Sequence, residues 1–580
     1  MASLNHSRHW LWLTATGIVV AAGLVYNLDG YPLLDPDEGR NAEVAREMAA
    51  TNDYVLPHLN GLPYVDKPAL YFAVGGIAIE VLGPSALAAR LPSLVFTVAT
   101  LLVVALFAGR LFGPDAAWTA TIVTAATPFT LAYSRTVIFD SALTLWVVLA
   151  VAGWYLAVEE DGNRAPWYRA VAWIALGLGV LTKGPIALGL PLMVVLPYAM
   201  WRRRAKALAD PISILLFVAI VLPWVFAISR EVPGYLEYVI VTETAGRLTT
   251  TALKRTGPFW YFLAIFPAAV LPWSIALVAG GWQRWRTRER LVGQADGRLV
   301  LLLLWIVVPL IFFTLSRSKR PQYVLPLVPG AGLLVAALWT DVRDRLPGVR
   351  SAALGLALVG VFFLVASTKI SGWVPASPAV ASSIPVTAVV LGISCCVAAV
   401  VAWCGAANRG ATLLALSLPV ATIPFASAGL MGAIGQDRSA EDLAIAIRHA
   451  AGDGAEIVGV RVFPPSLPFY ADRTITLSTA DGSELTSNYL VRDIEAWKAA
   501  PGTTVRDVDW WREAVTNCTT SRVFVVSRDD TPSMAFLAGA LPMIVSTRKY
   551  VAYGPCGGGR LAADHPTAQP PDRRQQPRGL

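Results

Sequence analysis

Long apolar runs recur through the first three quarters of the chain, and they decide what it can fold into. Ile18–Tyr26 with its flanks, Leu91–Phe107, Ile214–Ile228, Leu299–Leu315, Ala352–Ala366 and Thr412–Ala428 are examples. Several of them approach the ~20 residues that a helix needs to cross the hydrocarbon core of a bilayer. The composition agrees: only 15% of the residues are charged, against roughly a quarter in a soluble protein. The shortage of charge is confined to residues 1–430, whereas residues 436–580 read like an ordinary soluble domain. The first run, Trp10 to Leu28, follows Arg8 and resembles a signal peptide, but no small-x-small cleavage site comes after it. It is expected to be a retained helix.

Walking the chain gives about 13 spans. The densest basic loops are Arg202-Arg203-Arg204-Ala205-Lys206, Arg284 to Arg290 and Arg343 to Arg350. They fall on one side when the N-terminus is placed inside, and the positive-inside rule makes that side cytoplasmic. The net charge of +8 therefore records topology and not a nucleic-acid surface. Gly113-Pro114 marks a tight turn between spans. No internal repeat or inverted pair of interrupted helices of the transporter kind is visible.

The expected fold is thus an α-helical polytopic membrane bundle over residues 1–435, with a long first outer loop at 29–90. A C-terminal α/β extracytoplasmic domain is expected over 436–563, and a disordered Pro-, Gln- and Arg-rich tail over 564–580. Within the outer domain, Ala440 to Ala451 reads as helix, while Glu456 to Phe463 and Arg522 to Ser527 read as strands. Cys395, Cys396 and Cys404 lie in an apolar run and read as buried small hydrophobes. Cys518 and Cys556 are either a disulfide, if their domain faces an oxidising compartment, or two thiols.

With this topology a second set of charges lies on the outer side, against the bias. The cations are Arg40, Lys67, Arg135, Lys183, Arg247, Arg317, Lys319 and Arg320, and the carboxylates are Asp35, Asp37, Glu38, Asp66, Asp140 and Glu243. Any one could simply snorkel to the interface, but ionisable groups near membrane depth are costly and as a set they mark a functional site. The first loop carries Asp35-Pro36-Asp37-Glu38-Gly39-Arg40, then an amphipathic stretch from Asn41 to Ala50, expected to lie on the membrane surface. The plainer account of Asp35 and Asp37 is that they cap that helix. Lys183 stands at a span end before Gly184-Pro185, and Lys319-Arg320 precede Pro321-Gln322-Tyr323; a cation at a helix end suits phosphate.

Moving a sugar from a polyprenyl phosphate requires three things. Positive charge must meet the leaving phosphate, a carboxylate must reach the acceptor hydroxyl, and the tail needs an apolar groove. Outer cations, an acidic first loop and an apolar bundle supply all three. A transporter would instead carry charges at mid-depth within its spans, and a non-catalytic scaffold would not depend on Asp37.

The segment Leu34 to Pro68, LDPDEGRNAEVAREMAATNDYVLPHLNGLPYVDKP, resembles the first outer loop of bacterial aminoarabinose transferases that modify lipid A. More distantly it is similar to protein O-mannosyltransferases. Arg135 to Asp140 (RTVIFD), Leu181 to Pro185 (LTKGP), Pro258 to Tyr261, Leu271-Pro272-Trp273, Lys319 to Pro326 (KRPQYVLP) and Phe463 to Arg473 (FPPSLPFYADR) continue the likeness in order. The resemblance implies the GT-C fold, in a bacterial inner membrane with the site on the periplasmic side. It implies a glycosyltransferase taking its sugar from a polyprenyl-phosphate donor and passing it to a glycolipid or protein acceptor.

Asp37 then matches the loop carboxylate that serves as base or orients the acceptor, and Glu38 and Asp140 are further catalytic candidates. Arg40, Lys67, Lys183, Arg247, Lys319 and Tyr323 are expected to hold the donor phosphate. Tyr470 and Arg473 are candidates to reach the site from the C-terminal domain, but read more simply as a core aromatic and a surface cation. The aminoarabinose transferases carry Glu-His before the matched arginine, the histidine being a metal ligand, where this chain has Glu243-Thr244. No metal ligand is therefore assigned, and a divalent metal stays open.

Overall fold

The computed structural model describes residues 2–241, 257–286, 296–340, 342, 345–373 and 376–557. The expected tail at 564–580, and Glu243, Thr244 and Arg247, lie outside the described residues. Among the described residues, eight helices are long and apolar enough to cross a membrane, or nine if the pair Tyr261–Ala269 and Trp273–Arg286, bent by 97°, counts as one span. The expected figure of about 13 is not reached by length and composition alone. Part of the difference lies in apolar helices that are shorter than a full span, such as Leu11–Val25, Leu70–Leu82 and Ile186–Trp201. Pro114–Ala125 stops before Pro128–Ser134 begins, and Ile186–Trp201, with Pro191 and Pro197 inside it, is only 16 residues long.

Local chemistry sets the helix ends. Ser85 caps Ala86–Phe112 by accepting from the Ala88 amide. The helix stops at Gly113, whose φ of +89° lies where a side chain is disfavoured. Pro114 then opens the next helix, as the Gly-Pro pair predicts. Asp140–Glu159 is the central helix, with 83% of its apolar window buried inside the protein. The Ala205–Glu231 segment lies at the periphery, with 11% buried. Cys395 is buried in the helix Pro378–Cys404, but Cys404 at its end is exposed.

The first loop departs from expectation. Its helix Asp37–Thr51 does not lie on a surface, for every residue from Glu38 to Met48 is buried. The reason is that the C-terminal domain rests on it. Arg46 pairs with Glu43 at 2.7 Å and with Asp472 at 3.0 Å. The following hairpin, β1 (His58–Leu59) and β2 (Leu62–Pro63), presents Asn60, which exchanges two hydrogen bonds of 2.8 Å with the backbone of Ile475. A stripe of apolar residues could not reveal this, because both faces of the helix are covered and the polar face is covered by ion pairs.

The C-terminal part holds a six-stranded sheet. Its strands are β3 (Glu456–Val460), β4 (Thr476–Thr479), β5 (Val505–Asp507), β6 (Arg522–Ser527), β7 (Met543–Ser546) and β8 (Tyr550–Cys556), in the order β5-β4-β3-β6-β8-β7. β3, β4, β5 and β6 are parallel, and β8 runs antiparallel to both β6 and β7. The central strands are β-branched runs buried on both faces, as parallel strands between helices must be. Cys518 and Cys556 are disulfide-bonded, closing a 38-residue loop at the end of β8.

Candidate functional site

The site is built where the first loop, the central helices and the C-terminal domain, expected to be the outer one, meet. In the helix Asp37–Thr51, residues 37, 40 and 41 fall on one face by the i, i+3, i+4 rule. Glu38 is turned away from them by ~100°, and its partners differ accordingly. One of its carboxylate oxygens accepts from Arg90 Nε and the Val137 amide, both at 3.1 Å. The other accepts from Arg90 Nη2 at 2.9 Å and the Leu34 amide at 3.0 Å. Arg90 is fully buried and also donates to the carbonyls of Leu28, Tyr31 and Pro32. Glu38 thus has no lone pair left for a substrate, and the catalytic role expected for it is corrected to a structural one.

Asp35 and Asp37 do not cap the helix, whose N-terminus has no side-chain cap. Asp35 is buried and accepts from Ser466 Oγ of the outer domain at 2.8 Å. Burial pushes its carboxyl up to about 7, against the Ser466 hydrogen bonds and the nearby Lys549 and Arg438, which pull it down. Asp37 instead faces a cavity, with one oxygen held by Arg40 Nη2 at 2.7 Å and the other by Arg320 Nη1 at 3.2 Å. Burial draws the Arg40 guanidinium down, but the facing Tyr64, Asp37 and Asp66 outweigh it and hold its pKa above the ordinary value.

Two cavities adjoin at this point. The larger, about 310 Å³, is walled by apolar side chains such as Leu143, Leu190, Met193, Phe312 and Phe313. The smaller, about 60 Å³, is polar and lined by Asp37, Arg40, Asn41, Arg320, Thr486 and Asn488, among others. Both are lined by Asp66, Lys67, Asp140, Lys183 and Tyr323. This common wall carries two ammonium groups where an apolar space opens into a polar one. Lys183 forms an ion pair with buried Asp140, and its Nζ lies 5.3 Å from the centre of the Tyr323 ring. Asp66 accepts from Tyr238 Oη and from the amides of Asn488 and Tyr489. It therefore ties the loop bearing Lys67 to the outer domain.

Asp37, Arg40, Lys67, Asp140, Lys183 and Tyr323 are thus brought together as expected. Lys319 is not. Its ammonium donates to the carbonyls of Thr314 at 2.9 Å and Ser316 at 3.0 Å, capping the end of the helix Gly297–Leu315. It does not line either cavity, and its neighbour Arg320 does. Arg135 likewise donates to the carbonyls of Gly23 and Leu24. Tyr470 receives the Leu33 amide, and Arg473 donates to the Ala455 carbonyl, so both are structural. Asn41, Gln322, Thr486 and Asn488 line the polar cavity but were not singled out from the sequence. Asn41 alone had a usable signal, its place on the Asp37 face of the helix.

Among the described residues no group of three or more His, Cys, Asp or Glu side chains could hold a metal. The carboxylates at hand are engaged: Asp37 by two arginines, Asp140 by Lys183, and Asp66 by three donors. The described residues do not fit a divalent ion.

Residues 66–228 match the family of dolichyl-phosphate-mannose-protein mannosyltransferases. An undecaprenyl phosphate-alpha-4-amino-4-deoxy-L-arabinose arabinosyl transferase of Serratia proteamaculans is 31% identical over 360 residues, covering 61% of this chain and 63% of that protein. One from Edwardsiella ictaluri is 32% identical over 350 residues, covering 59% and 61%. The matched stretch thus spans less than two thirds of these relatives. The crystal structure of ArnT from Cupriavidus metallidurans bound to undecaprenyl phosphate covers 94% of this chain and 97% of its own, with a TM-score of 0.78 at 23% identity. The chain is a multi-pass membrane protein with the GT-C fold, and it resembles the aminoarabinose transferases.

Proposed function

We propose that this chain is an integral membrane glycosyltransferase that moves a sugar from a polyprenyl-phosphate donor to a glycolipid or protein acceptor on the periplasmic face of a bacterial inner membrane. The observation that carries the reading is the pair of adjoining cavities, one apolar and one polar, joined at a wall bearing Lys67 and Lys183. The apolar cavity takes the polyprenyl tail. Lys67, Lys183 and the Tyr323 hydroxyl meet the phosphate, on which negative charge builds as its bond to the sugar breaks. Asp140 holds Lys183 in place through their ion pair.

Asp37 faces the acceptor. Its two oxygens are held toward the polar cavity by Arg40 and Arg320. It accepts the hydrogen bond of the acceptor hydroxyl, orients that oxygen toward the anomeric carbon and receives its proton. The sugar–phosphate C–O bond breaks with its electron pair going to the phosphate, and the acceptor oxygen forms the new bond. Arg40 and Arg320 fix Asp37 for this task. The likeness of the aminoarabinose transferases, named for an undecaprenyl phosphate-linked sugar, supports the donor class. The charge bias of the loops and the disulfide between Cys518 and Cys556 support an oxidising, outward side for the sheet domain.

The test is turnover by purified protein in nanodiscs, supplied with radiolabelled polyprenyl-phosphate sugars. Wild type should strip sugar from one donor, and Asp37→Ala and Lys67→Ala should lose that turnover while remaining folded. Full turnover in both variants would remove these residues from the mechanism. No turnover of any donor by wild type would remove the reading.

A further inference from the structure

The phosphate of a lipid-linked sugar lies between its tail and its sugar. With the tail in the apolar cavity and the phosphate at the common wall, the sugar is left in the polar cavity. Two atoms of residues lining that cavity have no hydrogen-bond partner, although the residues are only 1% and 8% exposed. They are Oδ1 of Asn41 and Nε of Arg40. The Asn41 amide has a fixed orientation, because Nδ2 donates to the Val137 carbonyl at 2.8 Å. Its Oδ1 is therefore an acceptor in want of a donor. Arg40 is anchored by Nη2 on Asp37 and Nη1 on Thr486 Oγ1 at 2.9 Å, so its Nε is a donor in want of an acceptor.

A buried polar atom without a partner is unfavourable and rare. Two on adjacent residues that line one cavity indicate a ligand group that completes them. The chemistry of that group follows from the pair. An ammonium would satisfy only Asn41 and an anion only Arg40, whereas the hydroxyls of a sugar both donate and accept and so supply a partner to each.

We propose that Asn41, together with Arg40, reads a hydroxyl of the sugar being transferred, which makes Asn41 a specificity-determining residue. This rests on the donor reading above. It also explains why Asn41 follows Arg40 on the face of the helix that carries Asp37: one helical turn then holds the group facing the acceptor and the group that recognises the sugar.

The experiment measures binding in nanodiscs, so it does not need an acceptor. The probes are undecaprenyl phosphate without sugar and undecaprenyl phosphate carrying glucose, mannose or 4-amino-4-deoxyarabinose, followed by the monodeoxy analogues of whichever sugar binds best. Wild type should bind one deoxy analogue more weakly than its parent by roughly 5- to 150-fold, the range for leaving buried groups unpaired. Asn41→Leu should weaken binding of the parent sugar lipid by a similar factor and no longer distinguish it from that analogue. Binding of undecaprenyl phosphate alone should not change. Asn41→Asp, which keeps an acceptor oxygen but loses the donor to the Val137 carbonyl, should still bind the parent more tightly than that analogue although its overall affinity for the sugar lipid falls.

Undiminished discrimination in Asn41→Leu would overturn the inference and leave the donor reading standing. Loss of sugar-free lipid binding in both variants would make Asn41 structural and likewise overturn it. Failure of wild type to bind any of these lipids would overturn the inference and the donor reading together.

Discussion

Glu38 and Asp37 are neighbours in the chain, and replacing each should have opposite consequences. In Glu38→Gln the side chain keeps its length but loses its charge, and half of its acceptor capacity becomes an NH2 group. Whichever way the amide turns, that NH2 faces two N–H donors, either Arg90 Nε with the Val137 amide or Arg90 Nη2 with the Leu34 amide. The guanidinium of Arg90, fully buried, is left without its countercharge. Its remaining bonds are to the neutral carbonyls of Leu28, Tyr31 and Pro32. Breaking one side of a buried pair costs ~3–5 kcal/mol. A loss of that size should appear as a lower denaturation midpoint in detergent or nanodiscs. Turnover per folded molecule at low temperature should stay within about tenfold of wild type, because nothing that lines the cavities has been changed. A catalytic carboxylate would behave in the reverse way, with ~10²- to 10⁴-fold lost in rate and stability kept. The double variant Glu38→Leu/Arg90→Leu adds a check, since removing both charges leaves neither unpaired and it should be more stable than either single leucine variant. Glu38→Gln with wild-type stability and a hundredfold slower turnover would refute the assignment of Glu38 to structure.

Three other outcomes are expected. Asp35 has its folded pKa raised to about 7 by burial, from an ordinary 3.8. The stability this gives is complete below the unfolded value and is lost as pH rises through about 7. Heat inactivation should therefore be slower at pH 5 than at pH 8, and Asp35→Asn should flatten that gradient; an unchanged gradient would count against it. Lys319→Ala should leave donor turnover nearly intact while Arg320→Ala lowers it, because Arg320 and not Lys319 reaches Asp37; equal losses in steady-state assays would contradict this. Removing the 38-residue disulfide loop by Cys518→Ser/Cys556→Ser should cost the outer domain up to ~4 kcal/mol by chain entropy, read as faster proteolysis of that domain. The cysteines should also react with a membrane-impermeant thiol reagent from the outer side only after reduction.

What was legible in the sequence, and what was not, follows from the physics of each signal. The membrane bundle could be read because hydrophobic runs of span length have few other uses, and β6 could be read residue by residue from its β-branched run. Charges on the disfavoured side pointed to the site, and the fold does bring Asp37, Lys67, Asp140, Lys183 and Tyr323 to two adjoining cavities. The errors came from pairs of adjacent residues. Asp37-Glu38 and Lys319-Arg320 look alike as letters, but neighbours point apart, by ~100° in the helix that holds Asp37 and across the extended backbone at Arg320, and one of each pair was free to serve the fold. Glu38 holds Arg90 and Lys319 caps a helix, both meeting buried polar groups that no run of apolar residues announces.

A domain packed over the outer face was legible, but not which of its residues line the polar cavity. Thr486 and Asn488 reach the polar cavity from more than 400 positions along the chain, held there by Arg40 and Asp66. The same bonds tie the C-terminal domain to the residues that line the polar cavity. The Asn488 and Tyr489 amides grip the carboxylate beside Lys67, so any movement of the sheet domain moves the loop that carries Lys67 at the wall shared by the two cavities. Binding of an acceptor against the outer domain would thus be coupled to the donor site through Asp66, with no contact between the two substrates required.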